Sequence, residues 1–173
     1  KLRPVWAYSL NNPQGQESQP IVHNGVMYVT THNSTVALDP ATGKQIWKQD
    51  IELPQDVFKM ACCGILNRGA AILDGKLYRV TLDAHVMAMD AKTGKQLWKR
   101  KAADYQDGHA MTSAPLVANG VVITGIAGAA LGDLILFRFP LISSLSRGAL
   151  FGIGAHGAGT ARGQLPAAAQ SLA

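Results

Sequence analysis

The chain has 173 residues, 47% of them hydrophobic and 16% charged, with a formal net charge of +5. That balance excludes a disordered tail and supplies enough chain for one ordinary domain. The lysines are scattered from Lys1 to Lys101 rather than clustered, which reads as solvated surface and argues against a nucleic-acid footprint.

In chain order, residues 6–10 (Trp-Ala-Tyr-Ser-Leu) read as the last strand of a preceding unit. A polar loop follows, then Ser-Gln-Pro-Ile-Val-His-Asn-Gly at 18–25 and an apolar strand at 26–30. Asn-Gly between apolar runs is the strongest short-range hairpin signal. Residues 37–47, Ala-Leu-Asp-Pro-Ala-Thr-Gly-Lys-Gln-Ile-Trp, predict strand, tight turn and strand, with Asp39 and Thr42 bonding turn backbone and Gly43 supplying the left-handed φ. The segment returns 51 residues later at 88–98, identical at seven of eleven positions. Asp39 and Asp90 share one turn position and are read as turn formers rather than catalytic acids. Between the two copies, Asp74-Gly75 takes the place of Asn-Gly. A third opening, Ser-Ala-Pro-Leu-Val-Ala-Asn-Gly at 113–120, leads into an apolar strand at 121–124.

Four short strands per unit of about 50 residues, with no helical period before Gly125, predict an all-β chain of four-stranded propeller blades. Two are nearly whole and others partial. Trp47 and Trp98 should each pack onto the neighbouring unit and place the indole N–H on a carbonyl. After Gly132 the chain has no Trp, Tyr, Lys or Glu, and Asp133 is its last acid. The expected organisation is a partial propeller over 1–132 and an Ala/Gly/Leu-rich tail over 133–173. For that tail a frameshifted reading of a GC-rich gene and a genuine low-complexity terminus both stand open. Its apolar run at 134–145 is short of the roughly 20 residues a membrane-spanning helix needs. The chain opens without Met or a signal-peptide pattern, and so reads as a mature or partial product.

Cys62 and Cys63 are adjacent, which fits neither a four-ligand zinc site nor a long-loop disulfide framework. His23, His32, His85 and His109 show no ligand spacing with a carboxylate or cysteine and stay unassigned.

The runs Gly-Gln-Glu-Ser-Gln-Pro at 15–20, Ala-Cys-Cys-Gly-Ile-Leu-Asn-Arg-Gly at 61–69, Thr-Ser-Ala-Pro at 112–115 and Gly-Ile-Ala-Gly-Ala-Ala-Leu-Gly at 125–132 resemble the pyrroloquinoline quinone (PQQ) dependent methanol and ethanol dehydrogenases. The resemblance runs from about Leu2 to Gly132. It implies a quinoprotein alcohol dehydrogenase β-propeller, eight-bladed in the family, of which this chain carries the first two to three blades.

It implies a vicinal disulfide between Cys62 and Cys63 walling one face of the flat cofactor, against the alternative of two buried free thiols. Arg68 would reach the quinone oxygens, Glu17 and Thr112 would bond the cofactor's polar rim, and Ala127, Gly128 and Ala129 would offer backbone groups. The family's Gly-x-x-Gly-Ala-Glu pattern ends on a metal-binding Glu; that position here is Ala130, which has no oxygen ligand for calcium or a lanthanide.

The implied function is periplasmic oxidation of a primary alcohol to an aldehyde, with a cytochrome c or quinone as electron acceptor and no nucleic-acid partner or membrane span. In the family the catalytic base, the second stacking wall and further metal ligands come from later blades, so this chain alone is expected to be an inactive fragment. The alternative is a non-enzymatic propeller scaffold of the outer-membrane assembly lipoprotein type. Such a scaffold has no need of Glu17, Cys62, Cys63 and Arg68.

Overall fold

The computed structural model describes residues 2–61, 64–126 and 134–137. Three antiparallel sheets follow one another along the chain. The first runs β1 (Ile21–His23), β2 (Val26–Thr30), β3 (Ser34–Leu38), β4 (Gln45–Asp50); the second runs β5 (Ala71–Leu73), β6 (Lys76–Thr81), β7 (His85–Asp90), β8 (Gln96–Lys101). The third pairs β9 (Leu116–Ala118) with β10 (Val121–Gly125), and β10 with β11 (Leu134–Phe137), so it draws one strand from beyond Gly132.

Each sheet opens on the turn read from the sequence. Asn24-Gly25, Asp74-Gly75 and Asn119-Gly120 all hold two successive positive φ angles, as a two-residue hairpin turn with the right twist requires. The internal repeat carries into the register: Ala37 opposes Trp47, Ala88 opposes Trp98, and both hairpins shift register at the residue after that alanine. β3 is buried along its whole length, whereas the outer strands β4 and β8 carry Gln45, Lys48, Gln96 and Lys101 into solvent, which blunts edge pairing.

The core lies between sheets. Tyr28, Leu77, Met87 and Met89 fill the space between the first and second with Trp47 packed against them; Tyr78, Val80, Val86, Met111 and Val122 fill the next with Trp98. Trp47 Nε1 donates to Ala91 O at 3.1 Å, and Trp6 Nε1 donates to Pro40 O at 3.0 Å. Pro40 and Ala91 occupy one repeat position, so Trp47 docks on the next blade as expected and Trp6 does the same one blade earlier. Trp98 packs against the core between the second and third sheets, with no indole N–H bond among the described residues. Among the described residues, 6–10 form no ladder; the segment attaches through Trp6 and a Tyr8 hydroxyl bond to Gln45, because no neighbouring strand is there to pair with it. Two helical turns were also absent from the sequence reading: α1 (Val57–Met60) and a 3-10 turn at Tyr105–Asp107. Both lie in connections between blades and are too short to show a helical period.

His32, in the β2–β3 turn, is 7% exposed, lies edge-on to Phe58 of α1, and leaves Nδ1 without a partner among the described residues. Burial, and then the nearby Arg79 cation, hold its pKa below the ordinary 6.5. The unfolded chain therefore takes up a proton first as pH falls. This contribution to stability is complete above about pH 6.5 and is lost from there down towards the lowered folded value. Urea midpoints at pH 7.5 and 5.5 should differ in the natural chain and move closer together in His32→Phe; equal differences in the two would remove His32 from the account.

Candidate functional site

The recurring octet places three dipeptides at one structural position, just ahead of the first strand of each sheet: Glu17-Ser18, Asn67-Arg68 and Thr112-Ser113. Gly69 shows how close these entries come. Its φ is +136°, and a Cβ there would lie 3.4 Å from Gln19 O and 3.5 Å from Ala114 Cβ, so first-strand segments from all three sheets meet around it. The backbone is stitched across the same point, Gln19 N–H donating to Arg68 O at 3.2 Å and Arg68 N–H to Thr112 O at 2.8 Å.

Three of the site residues expected from the sequence converge on one guanidinium. Arg68 Nε sits 3.0 Å from Glu17 Oε2, and Arg68 Nη1 donates to Thr112 Oγ1 at 2.6 Å. The Arg68 and Glu17 side chains are 44% and 50% exposed; an ion pair in that setting is worth about 1 kcal/mol or less, so its role is orientation. Of the five guanidinium N–H groups, two are engaged here, and the others have no partner among the described residues. Thr112 accepts from Arg68 and so keeps its own hydroxyl proton to donate. A cavity of about 360 Å³ lined by Gln19, Arg68, Gly69, Ala71 and Ala114 adjoins the cluster. A larger cavity of about 650 Å³ among His23, Tyr28, Trp47 and Lys92 lies by the turns at the opposite end of the strands and holds none of these residues.

This is a recognition set: one permanent cation with free planar donors, a carboxylate and a hydroxyl donor, with no nucleophile–base pair. An oxygen-rich, planar, anionic ligand such as PQQ fits those donors. Cys62, Cys63, Ala127, Gly128, Ala129 and the metal position Ala130 lie outside the described residues. Among the described residues no three His, Cys, Asp or Glu side chains converge to hold a metal, and no helix is long and apolar enough to cross a membrane.

Asp39 and Asp90 stay out of the chemistry. Asp39 accepts Ala41 N–H at 2.8 Å, and Asp90 accepts the Thr93 hydroxyl and N–H, each at 2.8 Å. These bonds, from Ala41 N–H first for Asp39 and from the Thr93 hydroxyl first for Asp90, hold both carboxyls below the usual range. Two polar residues that matter carry no assigned role in the sequence: Arg79, and Asn67, which enters only as part of the run at 61–69. The signal for Arg79 is the repeat itself, since residues 76–80 laid over 26–30 set Arg79 on Val29, a buried position.

Residues 1–131 match the family described as glucose/ethanol/alcohol dehydrogenase, beta-propeller domain. A second family, LrgB-like, matches residues 109–169 and overlaps the end of the first match. The chain is 42% identical over 135 residues to the quinoprotein alcohol dehydrogenase PedH of Pseudomonas putida, covering 76% of this chain and 22% of that protein. It is 44% identical over 134 residues to a 1-butanol dehydrogenase (cytochrome c) of Thauera butanivorans, covering 76% of this chain and 19% of that one. It thus spans about a fifth of the length of these relatives. A solved europium-containing methanol dehydrogenase superposes with a TM-score of 0.72 at 33% identity, over 79% of this chain and 25% of that one.

Proposed function

The chain belongs to the glucose/ethanol/alcohol dehydrogenase β-propeller family, and we propose that it forms cofactor-facing blades of a quinoprotein alcohol dehydrogenase that oxidises a primary alcohol to an aldehyde. The observation that carries this reading is the gathering of Glu17 and Thr112 on the Arg68 guanidinium at the point where three blades meet. A scaffold propeller has no use for an exposed, pre-oriented cation there.

When bound, PQQ supplies the electrophilic quinone that accepts hydride from the alcohol. The residues of this chain bind and orient it. Arg68 presents its free N–H donors to ligand oxygens, Glu17 holds the guanidinium plane, and the Thr112 hydroxyl donates from the rim. In this reading Cys62 and Cys63 form the neighbouring wall as a vicinal disulfide, which an oxidising periplasm would preserve. The relative from Thauera butanivorans is named for cytochrome c, and a cytochrome c or quinone acceptor is the partner class we carry over. The metal does not fit as readily. Alanine at 130 offers no anionic oxygen to calcium or a lanthanide.

The test is a PQQ titration followed by absorbance, on the natural chain and on Arg68→Lys. A lysine keeps the charge but cannot hold Glu17 and Thr112 in one plane, and the expected loss of affinity is about tenfold. Absence of saturable binding to the natural chain, or equal affinity in the two, would overturn the reading.

A further inference from the structure

The three dipeptides at the meeting point divide their work differently. In the first and third blades the second residue turns back onto its own sheet. Ser18 Oγ accepts Thr30 N–H at 3.2 Å and lies 2.9 Å from Thr30 Oγ1; Ser113 Oγ accepts Gly125 N–H at 3.2 Å and lies 3.0 Å from Thr124 Oγ1. The leading residues, Glu17 and Thr112, face Arg68. In the second blade the order is reversed. Arg68, the second residue, turns outward, and Asn67, the leading one, is 2% exposed.

The Asn67 amide makes three of its four possible hydrogen bonds among the described residues. Its Oδ1 accepts the Thr30 hydroxyl at 2.5 Å and Gly69 N–H at 3.0 Å, and its Nδ2 donates to Val80 O at 3.2 Å. Thr30 has one hydroxyl proton and gives it to Asn67, so in the Ser18–Thr30 bond Ser18 is the donor. A flipped amide would set NH₂ against Gly69 N–H and oxygen against Val80 O, which fixes the orientation. The bond to Gly69 N–H closes a turn across Arg68. Arg68 is thereby held between a side chain anchored in two blades and a glycine packed against Gln19 and Ala114.

We infer that Asn67 is a positioning residue: it sets the backbone from which Arg68 reaches Glu17 and Thr112, by tying that backbone to Thr30 of the first blade and Val80 of the second. The affinity part of this inference rests on the cofactor-facing role proposed for Arg68; the geometric part does not.

The experiment compares the natural chain with Asn67→Asp, Thr30→Val and Thr30→Ser. Asn67→Asp keeps size and acceptors but turns an oxygen on Val80 O. Thr30→Val removes the donor at similar shape, and Thr30→Ser restores it. Two quantities are read: hydrogen exchange of Arg68 Nε–H by ¹⁵N NMR on the ligand-free chain, and affinity for free PQQ. Asn67→Asp should speed Arg68 Nε–H exchange and weaken PQQ binding, each about tenfold. Thr30→Val should move both the same way by about threefold, with Thr30→Ser close to the natural chain. A folded Asn67→Asp with unchanged Arg68 exchange overturns the inference, even if its stability falls, because Asn67 would then be a purely structural residue. Should Asn67→Asp fail to fold, unchanged Arg68 exchange in Thr30→Val overturns it equally. A natural chain that does not bind PQQ would sink the cofactor reading alone and leave the exchange comparison to decide this one.

Discussion

Arg79→Met should cost the chain about 3–5 kcal/mol, a large fraction of an ordinary domain's stability. Arg79 lies in the middle of β6 with 0% exposure. Its guanidinium donates to Ser34 O at 2.5 Å, Thr35 Oγ1 at 2.8 Å, Thr31 O at 2.7 Å and His32 O at 3.3 Å, all at the β2–β3 turn of the first blade. Burial pushes its pKa down to about 9, which still leaves it charged at neutral pH. The cation therefore fastens the second blade to the first through three carbonyls and one hydroxyl, with no carboxylate partner among the described residues.

Methionine fills a similar volume but takes the guanidinium donor from Thr31 O and His32 O, while Ser34 O keeps its bond from Thr31 N–H at 2.9 Å; a buried carbonyl without a donor costs about 1–3 kcal/mol. Relief of the buried charge works in the opposite direction. The orphaned groups outnumber the single charge, and the net is a loss. Urea denaturation of the two chains measures it. A difference under about 1 kcal/mol would mean that desolvation of the guanidinium cancels its hydrogen bonds.

Why Arg79 is hard to read and Trp47 easy follows from how each signals itself. The blade hairpins announce themselves twice, at 37–47 and 88–98, and the turn glycines and tryptophans recur with them. An arginine within the strand Lys-Leu-Tyr-Arg-Val, taken by itself, resembles any solvent-facing position, and only its alignment with Val29 in the repeat hints that this middle strand is covered on both faces. The strand expected at 6–10 is absent for the complementary reason: its residues have strand character, but a ladder needs a partner. Glu17, Arg68 and Thr112 were legible as separate residues, whereas their convergence depends on three sheets meeting at Gly69. The one-residue offset of Arg68 from Glu17 and Thr112 within the repeat hides it further.

Gly94→Ala should destabilise the chain by about 3 kcal/mol or more, several times the effect of Gly75→Ala. Both glycines have positive φ, +75° and +71°, so both substitutions carry the left-handed backbone penalty of about 1 kcal/mol. They differ in what a new Cβ meets. At Gly75 nothing lies within 4 Å, whereas at Gly94 the Trp47 ring carbons lie at 2.5, 2.8 and 2.9 Å. Trp47 cannot stay there. Lifting it breaks its bond to Ala91 O and opens the apolar interface of two complete blades, approaching the cost of deleting a buried tryptophan. Gly43 faces Trp6 in the same way, at 2.6 Å, but Trp6 belongs to a segment with no ladder of its own. Gly43→Ala should therefore fall between the other two, since that segment can detach and leave both complete blades intact. Thermal melts of the three variants, followed by tryptophan fluorescence, give the ranking. Equal losses for Gly94→Ala and Gly75→Ala would show that backbone conformation alone, and not the docked indole, selects glycine at this turn.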